Sequence, residues 1–98
     1  MTQAPRKALI TGASSGIGAE YARQLAAHCE QIIITGRRQA RLELLAGELR
    51  QNGQQCRVVV ADLTTTVGVA ELVETIRQQG PLDYLVNNAE TNVLVVKK

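Results

Sequence analysis

Hydrophobic residues fall into two rhythms along this chain, short continuous apolar runs and longer stretches where they recur every three or four positions. The runs KALIT (7–11), IIIT (32–35), CRVVVA (56–61) and LDYLVN (82–87) predict strands. IIIT in particular is β-branched throughout, the pattern of a strand buried on both faces of a parallel sheet. Between the runs, residues 16–28 carry Ile17, Tyr21, Ala22, Leu25 and Ala26 at helical spacing. Residues 39–51 place Leu42, Leu45, Ala46 and Leu49 on one stripe, with arginines and glutamates elsewhere. A third helix is predicted to run to about Gln79, capped by Thr64, Thr65 or Thr66, with Val69, Val73 and Ile76 facing the sheet. Asn52 with Gly53, and Gly80 with Pro81, supply the stops.

Strand and helix thus alternate three times across short connections, which predicts an α/β fold with right-handed crossovers and a parallel sheet. The tail, AETNVLVVKK, contains a further apolar run, VLVV. A parallel fifth strand would need a crossover of about a dozen residues first, so this run is expected to pair at an edge or to fray.

Composition narrows the class. The chain has 98 residues, enough for one domain, and 45% apolar with 20% charged residues is a folded, not a disordered, balance. Tyr21 and Tyr84 are the only aromatics, so the core must be aliphatic. A net charge of +2 without a basic stripe or an aromatic stacking platform argues against a nucleic-acid module. Cys29 and Cys56 match no metal or redox spacing, which predicts free thiols in a reducing compartment and no metal site. No signal peptide or spanning run is seen, so the expectation is a cytoplasmic protein without a membrane partner.

The chemistry concentrates in LITGASSGIG, residues 9–18. A strand ending at Thr11 and a helix starting near Ser15 deliver unpaired N–H groups and a positive helix end to the carboxyl edge of the sheet, which is an anion site. Gly12 permits the sharp departure, Gly16 lets a pyrophosphate approach the first helical turn, and Gly18 lets the helix lie close to the neighbouring strand. Thr11, Ser14 and Ser15 add hydroxyls that can donate to phosphate or tie the loop. The competing reading is a tight strand-to-helix turn and nothing more. A triphosphate hydrolase is disfavoured, because Ile17 and Gly18 follow Gly16 where a phosphate-binding lysine and hydroxyl would stand.

At the second strand's exit come Arg37 and Arg38, and neither Asp nor Glu occurs between Gln31 and Arg41. In a dinucleotide site this position faces the adenosine ribose, where arginine suits a 2′-phosphate, so NADP(H) is expected over NAD(H). The alternative is a solvated helix start. Asp62, with Leu63 beside it, ends the third strand, where its carboxylate can accept from the adenine amino group or simply organise the turn. Asn87 and Asn88 end the fourth, placed to tie strand ends or reach the cofactor ribose. His28 sits at a helix end with no nucleophile or metal partner nearby.

TGASSGIG (11–18), GRR (36–38), Asp62-Leu63 and NNA (87–89) together resemble the cofactor-binding half of the short-chain dehydrogenase/reductase family, over about residues 6–89. The resemblance implies a Rossmann-like three-layer fold, a truncated parallel sheet of order 3-2-1-4, and one partial NAD(P)-binding domain across residues 1–98. It implies cofactor contacts at Thr11, Gly12, Ser14, Ser15, Gly16, Ile17 and Gly18, at Arg37 and Arg38, at Asp62 and Leu63, and at Asn87, Asn88 and Ala89. Where the family usually continues with glycine, Glu90 follows here. The family's chemistry uses a serine, and a tyrosine with a lysine four residues on. Tyr21 is followed at that distance by Leu25 and Tyr84 by Asn88, and the only serines are Ser14 and Ser15. No catalytic residue is therefore assigned, and the chain is expected to hold cofactor without turning it over. The other class considered is a structural or interaction protein, because strand four would form an exposed apolar edge open to self-association or to a longer relative.

Overall fold

Four strands and three helices alternate strictly through residues 6–88, the part of the chain described by a computed structural model. They are β1 (Lys7–Thr11), α1 (Gly16–Ala26), β2 (Gln31–Gly36), α2 (Gln39–Gln51), β3 (Gln55–Val60), α3 (Thr66–Gln79) and β4 (Tyr84–Asn87). Ala89, Glu90 and the VLVV run lie outside the described residues. All pairings are parallel and the order is β3-β2-β1-β4, as anticipated.

Register sorts the strand residues into two faces. Ala8 lies between Ile32 and Tyr84, and Leu9 between Ile33 and Leu85, so successive rows alternate between the two sides of the sheet. On one side Ala8, Ile10, Ile32 and Ile34 pack with Ala22 of α1 and with Leu42, Leu45, Ala46 and Leu49 of α2. On the other, Leu9 and Ile33 pack with Leu72 and Ile76 of α3 and with Ala61, Leu63 and Leu82. Burial on both faces is why the central strands read as unbroken apolar runs. Both cysteines are free thiols, Cys29 buried and Cys56 half-buried on the edge strand β3.

Two helix faces differ from the expected stripes. On α3, Gly68, Leu72, Thr75 and Ile76 are the buried positions, whereas Val73 is 40% exposed. One residue is a rotation of about 100°, so once Gly68, Leu72 and Ile76 face the sheet, Val73 is carried to the flank. On α1, Gly18 and Ala22 face inward while Ile17 and Tyr21 are exposed, because the smallest residues allow the closest approach. This helix ends at Ala26, short of His28, and β4 begins at Tyr84 with Leu82 buried in the loop before it.

The turns after β1 and β3 are built alike. In each, the helix N-cap hydroxyl donates to the carbonyl three residues back: Ser15 Oγ to Gly12 O at 2.9 Å, Thr65 Oγ1 to Asp62 O at 2.8 Å. The same hydroxyl accepts the N–H three residues on, from Gly18 at 3.2 Å and from Gly68 at 3.0 Å. The cap's own N–H bonds the same carbonyl, at 3.1 Å in both turns. Both glycines are obligatory for one reason: a Cβ on Gly18 would drive into the Gly12 carbonyl oxygen, and one on Gly68 into that of Asp62. The close approach expected of Gly18 is thus to the backbone of its own loop.

Candidate functional site

The carboxyl ends of β1, β2 and β3 open onto a cleft of about 640 Å³, within the range of small-molecule and cofactor sites. One wall is the glycine loop: Gly12, Ser14, Ser15, Gly16 and Ile17. Facing it are Gly36, Arg37, Arg38 and Arg41 at the start of α2, with Ala61, Asp62, Leu63 and Thr64 after β3, and Asn88 at the rim.

The loop is fixed from behind. Gly12 takes a φ of 66°, which reverses the chain after β1 and favours glycine. Ala13 N–H donates to Thr35 O at 3.0 Å, pinning the loop to β2. A Cβ on Gly36 would stand 2.7 Å from Ser14 Oγ, so the bare β2 exit is what lets the two segments meet. A Cβ on Gly16, by contrast, would have no neighbour within 4 Å. Gly16 and Ile17, in the first turn of α1, line the cleft, where a helix start offers unpaired N–H groups.

The hydroxyls divide between the two roles envisaged for them. Thr11 is buried beneath the cleft, where its Oγ1 donates towards Asn87 Oδ1 at 3.0 Å and accepts from Asn88 N–H at 2.8 Å. Ser15 Oγ, besides capping α1, accepts from Asn88 Nδ2 at 3.0 Å, and the same amide reaches Gly12 O at 3.4 Å. Thr11, Ser15, Asn87 and Asn88 thus knit the ends of β1 and β4 to the loop. Ser14 is the loop hydroxyl left beside the cleft. Gly18 lies under the loop and Leu63 is buried while lining the cleft.

The cations gather on one side. Arg38 is the N-cap of α2 but makes no side-chain cap bond, and no acidic residue stands in that first turn. Cations at a helix N-terminus oppose its dipole and gain from a bound anion. Among the described residues, the ion pairs join Arg23 to Glu20 and Glu48, and Arg77 to Glu74. Arg41, not singled out from sequence as a site residue, donates to Ser14 O at 3.5 Å and closes the cleft between α2 and the loop. Its signal was a position three beyond Arg38, one helical turn onward.

Asp62 is held on the cleft wall by Thr64, whose N–H and hydroxyl both donate to Oδ1, at 2.9 and 2.6 Å. From sequence Thr64 was a candidate helix cap and not a site residue, although an offset of two from an aspartate is that of a side-chain turn. The Thr64 hydroxyl, then its N–H, hold the Asp62 carboxyl below the usual carboxylate range. Nearby Arg37 adds to this and partial desolvation opposes it. A depressed pKa contributes stability at neutral pH that is lost as the pH falls through it. Burial, by contrast, pushes the Cys56 thiol up to about 11, which leaves it unreactive near neutrality.

Among the described residues no three His, Cys, Asp or Glu side chains gather as a metal site, and no helix is long and apolar enough to cross a membrane.

Comparison with known proteins matches residues 6–96 to the short chain dehydrogenase family. The A-factor type gamma-butyrolactone 1'-reductase (1S-forming) of Streptomyces virginiae is 43% identical over 83 residues, which are 84% of this chain and 32% of that protein. The L-sorbose reductase from Gluconobacter frateurii, solved with NADPH and L-sorbose, superposes with a TM-score of 0.82 at 37% identity over 92% of this chain and 35% of its own. A short-chain dehydrogenase from Sphingobium yanoikuyae, solved with NADPH, gives 0.78 at 36% identity over 86% and 34%. The chain spans about a third of the length of the curated relatives it matches.

Proposed function

This chain belongs to the short-chain dehydrogenase family, and from that premise we propose that it holds NADP(H), in preference to NAD(H), across the ends of its strands. The observation that carries this reading is the pairing of an open first turn at Gly16 with the three arginines across the cleft. A pyrophosphate fits the first turn of α1, where the N–H groups and Ser14 would hold it. Arg37 and Arg38 would take the 2′-phosphate, and Asp62, with Leu63 behind it, the adenine. When bound, the cofactor supplies the hydride of oxidoreductase chemistry. The chain's own residues bind and orient it; neither tyrosine has a lysine four residues on, so no group for proton exchange is assigned here.

Calorimetric titration tests the reading. NADPH is expected to bind at least about tenfold more tightly than NADH, since charge-assisted bonds to the extra phosphate are worth roughly 1.5–3 kcal/mol. Replacing Arg37 and Arg38 together by alanine should equalise the two. Absence of binding, or equal binding to the unaltered chain, would overturn it.

A second reading, self-association, rests on β4, an edge strand among the described residues, with Tyr84 and Leu85 each 38% exposed. An uncovered apolar edge pairs readily with another strand.

A further inference from the structure

The loop after β3 holds one carboxylate in an asymmetric grip. Thr64 donates twice to Asp62 Oδ1, from its N–H at 2.9 Å and from its hydroxyl at 2.6 Å. The backbone is fixed as well, because Thr65 donates to Asp62 O through both its N–H and its hydroxyl, at 3.1 and 2.8 Å. The absent Cβ of Gly68 lets the start of α3 sit directly against that carbonyl. A carboxylate pinned at one oxygen by two donors has its plane set, and only the other oxygen is left to accept from the cleft.

We infer that Thr64 is a positioning residue: by occupying Oδ1 it turns Asp62 Oδ2 into the acceptor that selects a nucleotide base carrying an exocyclic amino group. This rests on the reading of the cleft as a dinucleotide site and deepens it by assigning how the base is chosen. Adenine presents an amino donor to such an acceptor. Hypoxanthine presents a carbonyl oxygen at the same place and is repelled. A free carboxylate could rotate away from the mismatch, whereas one held by Thr64 cannot do so without breaking two hydrogen bonds. Thr64 is exposed, so its replacement leaves the core untouched.

The test compares NADPH with its hypoxanthine counterpart on the unaltered chain, on Thr64→Val, which keeps the shape and loses the hydroxyl, and on Thr64→Ser, which keeps the hydroxyl. Thr64→Val should weaken NADPH binding roughly fivefold, the scale of one lost hydrogen bond to a charged group. Binding of the hypoxanthine dinucleotide should stay essentially unchanged, and Thr64→Ser should behave as the unaltered chain. In the free protein, an NMR titration of the Asp62 carboxyl should show its pKa rising in Thr64→Val and not in Thr64→Ser. Equal weakening of both dinucleotides, or no weakening at all, would overturn the inference while leaving the cofactor reading intact. So would an Asp62 pKa that Thr64→Val does not move. Failure of the unaltered chain to bind either dinucleotide would overturn the cofactor reading, and base selection with it.

Discussion

At the scale of single residues, two glycines two positions apart have opposite reasons to be glycine. At Gly18 a Cβ would run into the Gly12 carbonyl, whereas at Gly16 it would meet nothing in the protein. Gly18→Ala should therefore destabilise the fold by about 1–3 kcal/mol, the range of overpacking, read as an earlier unfolding transition in denaturant. Gly16→Ala should leave that transition in place or raise it by about 0.5–1 kcal/mol, because glycine is costly inside a helix. It should nevertheless weaken NADPH binding several-fold, as measured by calorimetry. One variant changes the protein and the other only the room for a ligand. The spacing of glycines suggested both roles but not the allocation of the hydroxyls: that Thr11 and Ser15 turn inward to Asn87 and Asn88 depends on contacts between segments more than seventy residues apart.

At the scale of elements, one helix starts differently from the other two. Ser15 caps α1 and Thr65 caps α3, each with a side-chain bond to the N–H three residues on, while α2 begins at Arg38 with no such bond. An N-cap hydroxyl contributes typically about 1 kcal/mol. Arg38→Ser is expected to raise the thermal midpoint by roughly 4–8 °C for a domain of this size and, in parallel, to lower the preference for NADPH over NADH in titration. A melting temperature that falls would contradict this account of the α2 terminus. Element existence was legible from periodicity, and α2 matches its predicted range of 39–51. The facing of α3 was not. Val73 and Leu72 are equally apolar, and the choice between them is made by Gly68 locking the first turn against Asp62, a contact invisible in a window of α3 alone.

At the scale of the whole molecule, strict alternation of strand and helix and the right-handed crossover rule anticipated a parallel sheet, and the family resemblance its order, β3-β2-β1-β4. They also anticipated that β4 would stand at an edge, as it does among the described residues. Its exposed Tyr84 and Leu85 contrast with Ala8 and Leu9, their fully covered neighbours in the sheet. Sedimentation at rising protein concentration should show association of the unaltered chain. Leu85→Lys, which sets a charge on the strand, should hold it monomeric. A monomer at every concentration would remove the second reading and leave the nucleotide cleft unaffected, since the cleft is built at the far ends of β1, β2 and β3.

The twin turns at 12–18 and 62–68 close on themselves through bonds that reach no further than three residues in either direction. Each joint is thereby a local solution, indifferent to what the rest of the rim recognises. The capping letters correspond, Ser15 with Gly18 in one and Thr65 with Gly68 in the other, while Gly16 stands in the first where Thr66 stands in the second, so the scaffolding of the helix start and its choice of guest are written in separate letters. A lineage carrying this sheet is free to alter or abandon what it binds without rebuilding the hinge on which each helix hangs.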